Sequence, residues 1–235
     1  MEDIKNYLIK HFGRPKRLFI LGMILTIPFL FLVYMSFYDW GFIGTLDEVI
    51  GAELHDERGP ILTPFFRFIT RFGNPIEVGI LTAIIGAFIA FYKKNKKIAL
   101  WYILTVALGA GALNQLVKFF FQRERPTSVE HLITQHGYSF PSGHAMGSVI
   151  VYGALLFLII RTYSSWKVIL PAILVTIPLI ALIGISRIYL GVHYPSDIIG
   201  GYSLGLAVLS ISLGIYSLFL TKEEIRNPID TTGQD

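Results

Sequence analysis

The 235-residue chain contains no cysteine and unusually few charged residues. Without cysteine, disulfides and thiolate metal sites are excluded. Charged residues form 15% of the chain, against about 25% in an ordinary soluble domain, while 53% of its residues are hydrophobic. The G-x-x-x-x-G-K-[ST] signature of a P-loop is also missing, as is any internal repeat. These absences exclude a soluble domain of typical composition and direct attention to the membrane.

The hydrophobic residues are gathered into runs long enough to cross a bilayer, which takes about 20 residues of helix. Six spans are predicted, at approximately 18–38, 76–92, 98–117, 144–160, 168–190 and 198–220. The first is too long, and is followed by too many others, to be a cleaved signal peptide. The sequence therefore predicts an all-α polytopic membrane protein. Its six-helix domain occupies 18–220, between a basic tail at 1–17 and a polar tail at 221–235.

The distribution of basic residues predicts how the chain is oriented. Most of the 20 lysines and arginines lie in the two tails and in the second and fourth loops. The positive-inside rule then places both termini in the cytoplasm and the first, third and fifth loops outside. This topology accounts for the net charge of +4, so the bilayer is expected as a partner and a nucleic acid is not. Oligomeric state stays open, because Gly201 and Gly205 suit either a dimer face or packing inside the bundle.

The first outer loop, 39–75, begins acidic and then turns apolar at "ILTPFFRFITRF". Thr63, Arg67 and Thr70 recur at helical spacing, opposite a row of apolar residues: Phe65, Phe68, Ile69 and Phe72. This pattern predicts a helix lying in the plane of the membrane interface. A helix that only caps the bundle is an equal alternative.

Three polar clusters fall on the outer face of this topology. They are "KFFFQRERP" after the third span, "PSGH" at the start of the fourth, and "SRIYLGVHYPSD" between the fifth and sixth. Any one of them alone suits a snorkelling anchor. Three clusters on one face favour a functional site, because charges at membrane depth are costly.

The clusters supply groups that bind a multiply charged anion. Lys118, Arg125 and Arg187 are three cations with few carboxylates nearby, and an arginine fork matches phosphate oxygens. Gly143 stands at the start of a helix, where free N–H groups and the helix dipole attract an anion. Ser142 either caps that helix or donates its hydroxyl to the same anion. The residues predict a phosphate site without a P-loop.

Two histidines complete the constellation. His193 precedes Asp197 by four residues, so the carboxylate can hold one ring nitrogen and leave the other free to attack. His144 is placed to protonate a leaving oxygen. A helix-start ion pair between His193 and Asp197 is the plainer alternative. A metal site is a further one, disfavoured because the surrounding cations would repel a divalent ion, so neither a metal nor another cofactor is expected.

The motifs K-x6-RP, PSGH and SR-x5-H-x3-D resemble the three signatures of the type 2 phosphatidic acid phosphatase superfamily. They occur in that order between residues 118 and 197, and every specified position is met. The resemblance implies a metal-independent lipid phosphatase in which His193 becomes a phosphohistidine, oriented by Asp197. It further implies that His144 protonates the leaving group and later activates water. The phosphate oxygens would be held by Lys118, Arg125, Ser142, Gly143 and Arg187.

The resemblance also suggests the substrate. An outward-facing site favours undecaprenyl diphosphate, which is released on that side, with phosphatidylglycerophosphate as the other leading candidate. Phosphatidic acid and diacylglycerol pyrophosphate are further alternatives. A lipid phosphotransferase would use the same residues, whereas a non-catalytic lipid binder would be expected to lack one of the two histidines.

Overall fold

The structure, a computed structural model, describes residues 14–38 and 41–219. Most of the predicted basic tail at 1–17 and all of the polar tail at 221–235 lie outside the described residues. The elements in chain order are α1 (Pro15–Tyr38), α2 (Gly41–Asp56), α3 (Leu62–Thr70), a 3-10 turn (Arg71–Gly73), α4 (Pro75–Tyr92), α5 (Lys96–Phe121), α6 (Gly143–Thr162), α7 (Trp166–Tyr189) and α8 (Pro195–Phe219). Within the described ranges no residue lies in a β-strand.

Six of these helices, all but α2 and α3, are long and apolar enough to cross a membrane. The six predicted spans and the all-α multi-pass fold are therefore confirmed. The predicted ends were wrong by a few residues, since α1 begins at Pro15 and α5 continues to Phe121. Proline suits the first turn of a helix, and basic residues at an interface remain helical while their charges reach water.

The fifth helix departs from α-helical geometry in its middle. Residues Val106–Leu113, with the sequence VALGAGAL, form a π-helical segment between two α-helical ones. Its two glycines lower the intrinsic stability of a regular helix, and its glycines and alanines leave room beside the backbone. The widened segment lies next to the site described below.

The fourth and last spans form the centre of the molecule. Most of α6 and α8 is buried in protein, whereas the other four spans are largely exposed on the outside of the bundle. A methyl group on Gly201 would come within 2.7 Å of the Ser142 carbonyl oxygen, and one on Gly205 within 3.0 Å of the Met146 carbonyl oxygen. These glycines therefore let α8 pack closely on α6, which confirms the interpretation as packing inside the bundle.

The described part of the first loop, residues 41–74, folds over the end of the bundle that carries the three polar clusters. Helix α3 confirms the predicted helix, but its two threonines face the protein: Thr63 contacts the Tyr189 hydroxyl at 2.9 Å, and Thr70 accepts from Arg187 at 2.7 Å. Phe65 and Phe68 are exposed instead. Arg67 is exposed, and Ile69 of the apolar row is buried. The threonines turn inward because α3 packs on the end of α7, where hydrogen-bonding groups need partners.

Candidate active site

The three polar clusters meet around one cavity of about 270 Å³. Five predicted residues line its polar end: Lys118, Arg125, Gly143, His144 and His193. Its other end is lined by small and apolar residues of α4, α5 and α6: Val78, Gly79, Val106, Ala107, Ala110, Gly111 and Gly147. Gly79, Ala107 and Gly111 are exposed on the outside of the bundle. The cavity is therefore polar at one end and apolar where it opens between the helices.

His193 lies on the short turn between α7 and α8 and is held by the first turn of α8. Its Nδ1 atom is 3.1 Å from Oδ2 of Asp197, and the same oxygen accepts the Tyr194 N–H at 3.0 Å. Burial lowers the pKa of His193 well below its usual value of 6.5, and the cations Lys118, Arg187 and Arg125 lower it further. The imidazole is therefore neutral at neutral pH.

The arginine of the first motif fixes the tautomer of that imidazole. Nη1 of Arg125 lies 3.2 Å from Nε2 of His193. A guanidinium group only donates, so Nε2 must accept and the ring proton must sit on Nδ1, facing Asp197. The other Arg125 donors bind the carbonyl oxygens of Val192, Gly137, His136 and Tyr138. The unprotonated Nε2 atom of His193 thus lies at the cavity beside the Arg125 guanidinium.

The remaining two cations are buried at the same end of the bundle. Nζ of Lys118 donates to the carbonyl oxygens of Tyr138 and Ser139. Arg187 donates from Nη1 to the Thr70 hydroxyl and from Nη2 to Oε1 of Gln135. Its Nε atom is buried and has no hydrogen-bond partner among the described residues. An orphaned buried donor of this kind is costly and marks a place where an anion would bind favourably.

The PSGH segment starts α6 as predicted. Ser142 is the N-cap residue, and its hydroxyl accepts the Ala145 N–H at 3.4 Å. Its own N–H donates to the Asp197 carbonyl oxygen at 3.0 Å, which joins the second motif to the third. Gly143 packs so closely on Asn114 that an added methyl group would lie 2.9 Å from Oδ1. The start of α6 therefore faces the cavity from a fixed position.

His144 is held by Asn74, a residue that matches none of the motifs. Its Nε2 atom lies 2.8 Å from Oδ1 of Asn74, and Nδ2 of Asn74 donates to Oε1 of Glu77 at 3.1 Å. Asn74 is the N-cap of α4, yet its side chain does not cap that helix. An N-cap asparagine ordinarily accepts a backbone N–H of its own helix. Here its acceptor oxygen is used by His144 instead.

The structure brings all eight predicted site residues to one end of the bundle, with Arg187, Ser142 and Asp197 behind those that line the cavity. Sequence reasoning missed a second group that holds them: Asn74, Thr70, Gln135, Arg123 and Asp47. Arg123 stands inside the first motif between Lys118 and Arg125, so its position was a signal. The other four lie in loops or short helices and carry no motif.

The groups around this cavity define a class of protein. A neutral histidine with an accepting nitrogen, a second histidine, two cations and a helix N-terminus line one cavity in a membrane bundle, with a third cation behind them. Those groups are what phosphoryl transfer to a histidine requires. The class is that of helical membrane proteins that process a phosphate group.

Comparison with known proteins identifies the family within this class. A model of the PAP2 superfamily matches residues 99–219. Phosphatidylglycerophosphatase B of Bacillus subtilis (strain 168) is 31% identical over 188 residues, which cover 78% of this chain and 90% of that protein. The chain belongs to the PAP2 superfamily and is a membrane lipid phosphatase, as the motifs indicated.

Two further similarities agree with this assignment. The crystal structure of a transmembrane PAP2-type phosphatidylglycerolphosphate phosphatase from Bacillus subtilis matches with a TM-score of 0.73 and 28% identity, covering 89% of this chain and 98% of that one. An undecaprenyl-diphosphatase of Sulfolobus acidocaldarius is 30% identical over 138 residues, or 57% of this chain and 62% of that protein. The similarity to the crystal structure extends over the whole bundle.

Proposed function

We propose that the protein hydrolyses a lipid phosphate through a phosphohistidine on His193. The observation that carries the proposal is the two-ended cavity, with His193 and His144 at its polar end and an apolar end that opens between α4 and α5. A lipid whose chain lies along the apolar end presents its phosphate to the histidines. A water-soluble phosphate ester would gain nothing from that apolar end.

In the first step, Nε2 of His193 attacks phosphorus and the bond from phosphorus to the leaving oxygen breaks. His144 in its charged form keeps its Nε2 proton hydrogen-bonded to Asn74 and gives its Nδ1 proton to that oxygen, so the lipid departs as an alcohol or as a monophosphate. The carboxylate of Asp197 accepts a hydrogen bond from Nδ1–H, which keeps its proton, and stabilises the positive charge that develops on the ring. Nη1 of Arg125, which bonds Nε2 in this structure, passes to a phosphate oxygen when the substrate binds.

In the second step, water attacks the phosphohistidine. His144 takes a proton from the water, the phosphorus–nitrogen bond breaks, and inorganic phosphate leaves with His193 restored. Lys118, Arg125 and Arg187, together with the Gly143 N–H and the Ser142 hydroxyl, hold the charge on the phosphate oxygens. The cations do the work that a metal ion does in other phosphatases, and they would repel a divalent ion.

The proposed site faces the outside of the cell, on the argument from basic residues given above. Substrates of the outer leaflet then reach it by lateral diffusion. Phosphatidylglycerophosphate is our first candidate, because the Bacillus subtilis relative and the matching crystal structure are both named for it. Undecaprenyl diphosphate is the second, favoured by the outward site and by the Sulfolobus relative.

A phosphate-release assay on purified protein tests this function. Phosphatidylglycerophosphate, undecaprenyl diphosphate and phosphatidic acid are offered separately in mixed micelles, with and without a chelator. We expect release of inorganic phosphate in the presence of chelator, an acid-labile phosphoenzyme, and the highest kcat/KM for one of the first two lipids. His193→Ala should abolish release, and His136→Ala, an exposed histidine of the third outer loop, should not. Activity that survives His193→Ala, or that needs an added divalent ion, would exclude the proposed mechanism.

A further inference from the structure

A buried ion-pair network lies on the side of Asp197 away from the cavity. Nη1 of Arg123 is 2.6 Å from Oδ1 of Asp197, and Nη2 is 2.8 Å from Oδ2 of Asp47. Both carboxylates are almost completely buried, while the Arg123 side chain is 16% exposed. One guanidinium therefore joins two carboxylates that are 150 positions apart in the chain.

Asp47 ties this network to the first outer loop. It lies on α2, and its carboxylate also accepts the Ser196 N–H at 2.8 Å and the Ser196 hydroxyl at 2.6 Å. Ser196 precedes Asp197 at the start of α8. The Arg123 guanidinium also lies over the ring of Tyr194, with 4.1 Å from its central carbon to the ring centroid. Helix α2 is thus bonded directly to Ser196 and, through Arg123, to Asp197, the residue that holds His193.

The network restrains the carboxylate that orients the nucleophile. Oδ2 of Asp197 is shared by Nδ1 of His193 and the Tyr194 N–H, and Oδ1 is held by Arg123. A carboxylate held at both oxygens cannot rotate away from the imidazole. A charged donor on Oδ1 also favours the ionised form, which keeps the ring proton on His193. Arg123 is not among the residues that line the cavity, so it acts from behind.

We propose that Arg123 and Asp47 are positioning residues for the His193 nucleophile. Arg123 fixes the Asp197 carboxylate, and Asp47 fixes Arg123, so α2 of the first outer loop is part of the catalytic support. This inference rests on the proposed function, because it requires His193 to attack phosphorus. The first outer loop thereby gains a role that its sequence did not reveal.

The test measures phosphoenzyme formation with a soluble aryl phosphate, as a burst of the released phenol. Arg123→Gln should slow the burst by roughly 10- to 100-fold, the range seen when groups behind an active-site ligand are removed. KM should change by no more than about twofold, because Arg123 does not touch substrate. Arg123→Lys, which keeps the charge, should recover part of the rate, and Asp47→Asn should slow the burst by roughly tenfold.

A double-mutant cycle separates positioning from general stabilisation. If Asp47 acts through Arg123, the double variant Arg123→Gln/Asp47→Asn should be no slower than Arg123→Gln alone. Glu48→Gln is the matched control, since it removes the neighbouring but exposed carboxylate of the same helix, and its burst should be unchanged. Multiplicative losses, or a loss confined to KM, would overturn the inference.

Further variants cover a failure of Arg123→Gln to fold and separate this inference from the proposed function. If Arg123→Gln fails to fold, Arg123→Lys and Asp47→Asn carry the test, because each keeps a cation beside Asp197, and wild-type burst rates in both would overturn the inference. His193→Ala is measured alongside. If it is inactive while the Arg123 and Asp47 variants are normal, only the present inference fails. If it remains active, the proposed function fails.

Discussion

At the scale of single residues, the protonation of His193 decides whether the nucleophile is available. Its pKa is lowered by burial and by neighbouring cations, so acid must reach well below pH 6.5 before the ring is charged. We expect kcat/KM for an aryl phosphate, corrected for ionisation of the substrate, to stay level from pH 7.5 down to below 6.5. The measurement is a pH series in detergent. An acidic limb at or above pH 6.5 would contradict the assignment of His193 as a buried neutral base.

The leaving group separates the role of His144 from that of His193. A monophosphate such as phosphatidic acid releases a poor alkoxide, whereas a diphosphate or an aryl phosphate releases a better leaving group. His144→Ala should therefore slow phosphoenzyme formation from alkyl monophosphates by roughly 100- to 10,000-fold and from aryl phosphates much less. The measurement compares burst rates across this series. An equal loss for every leaving group would make His144 a phosphate-binding residue.

Asn74 should share this dependence on the leaving group in a weaker form. Its contact with Nε2 orients His144, so Asn74→Ala should slow alkyl monophosphates by roughly tenfold, as expected for a group that orients an active-site ligand from behind. Thr63→Ala, which also removes a polar contact in the first outer loop, serves as the control. If Asn74→Ala lowers burst rates equally for all substrates, its role is not exerted through the acid.

The site residues divided into predictable and unpredictable ones for a physical reason. Lys118, His144 and His193 were found because their motifs set unusual charges beside apolar spans. Asn74 contacts His144 across 70 positions, and Asp47 contacts Ser196 across 149. Such pairs depend on how the helices pack, which spacing along the chain does not encode.

At the scale of elements, the six spans could be predicted because a bilayer leaves few alternatives. Every backbone group inside it must be bonded within a helix, so apolar runs of sufficient length are read directly as helices. The π-helical segment Val106–Leu113 could not be foreseen in the same way. Its sequence is apolar like the rest of the span, so its composition does not set it apart.

The π-helical segment should control access for the lipid chain. A methyl group on Gly111 meets no atom within 4 Å, so Gly111→Leu adds a side chain at the apolar end of the cavity without an immediate clash. We expect its kcat/KM for long-chain lipid phosphates to fall by roughly tenfold or more, because the added side chain would displace part of the lipid chain from a buried apolar contact. Its kcat/KM for an aryl phosphate should change little. Gly44→Leu on α2, equally open but outside the cavity, is the control. An equal loss on both substrates would show damage to the bundle instead.

At the scale of the whole molecule, the bundle is asymmetric from one end to the other. One end carries the two site histidines, the buried cations and the two short helices of the first loop, which hydrogen bonds tie to the ends of α7 and α8. The other end carries the basic loop "KKNKK", the start of α1 and the end of α8. Because the site lies at one end of the six-span bundle, the orientation of the chain decides which leaflet of the membrane supplies the substrate.

The absence of cysteine makes that orientation directly testable. Ser128 lies exposed in the loop between α5 and α6, at the end that carries the active site, and Ser164 lies exposed between α6 and α7, at the opposite end. Each Ser→Cys change exchanges only oxygen for sulfur and provides one thiol in an otherwise thiol-free chain. In intact cells, a membrane-impermeant maleimide should label Ser128→Cys and spare Ser164→Cys, and after lysis both should react. The positive-inside rule predicts this result because the basic loops and tails resist translocation. Labelling of Ser164→Cys alone in intact cells would place the phosphatase site in the cytoplasm, and substrates of the inner leaflet would then replace those of the outer one.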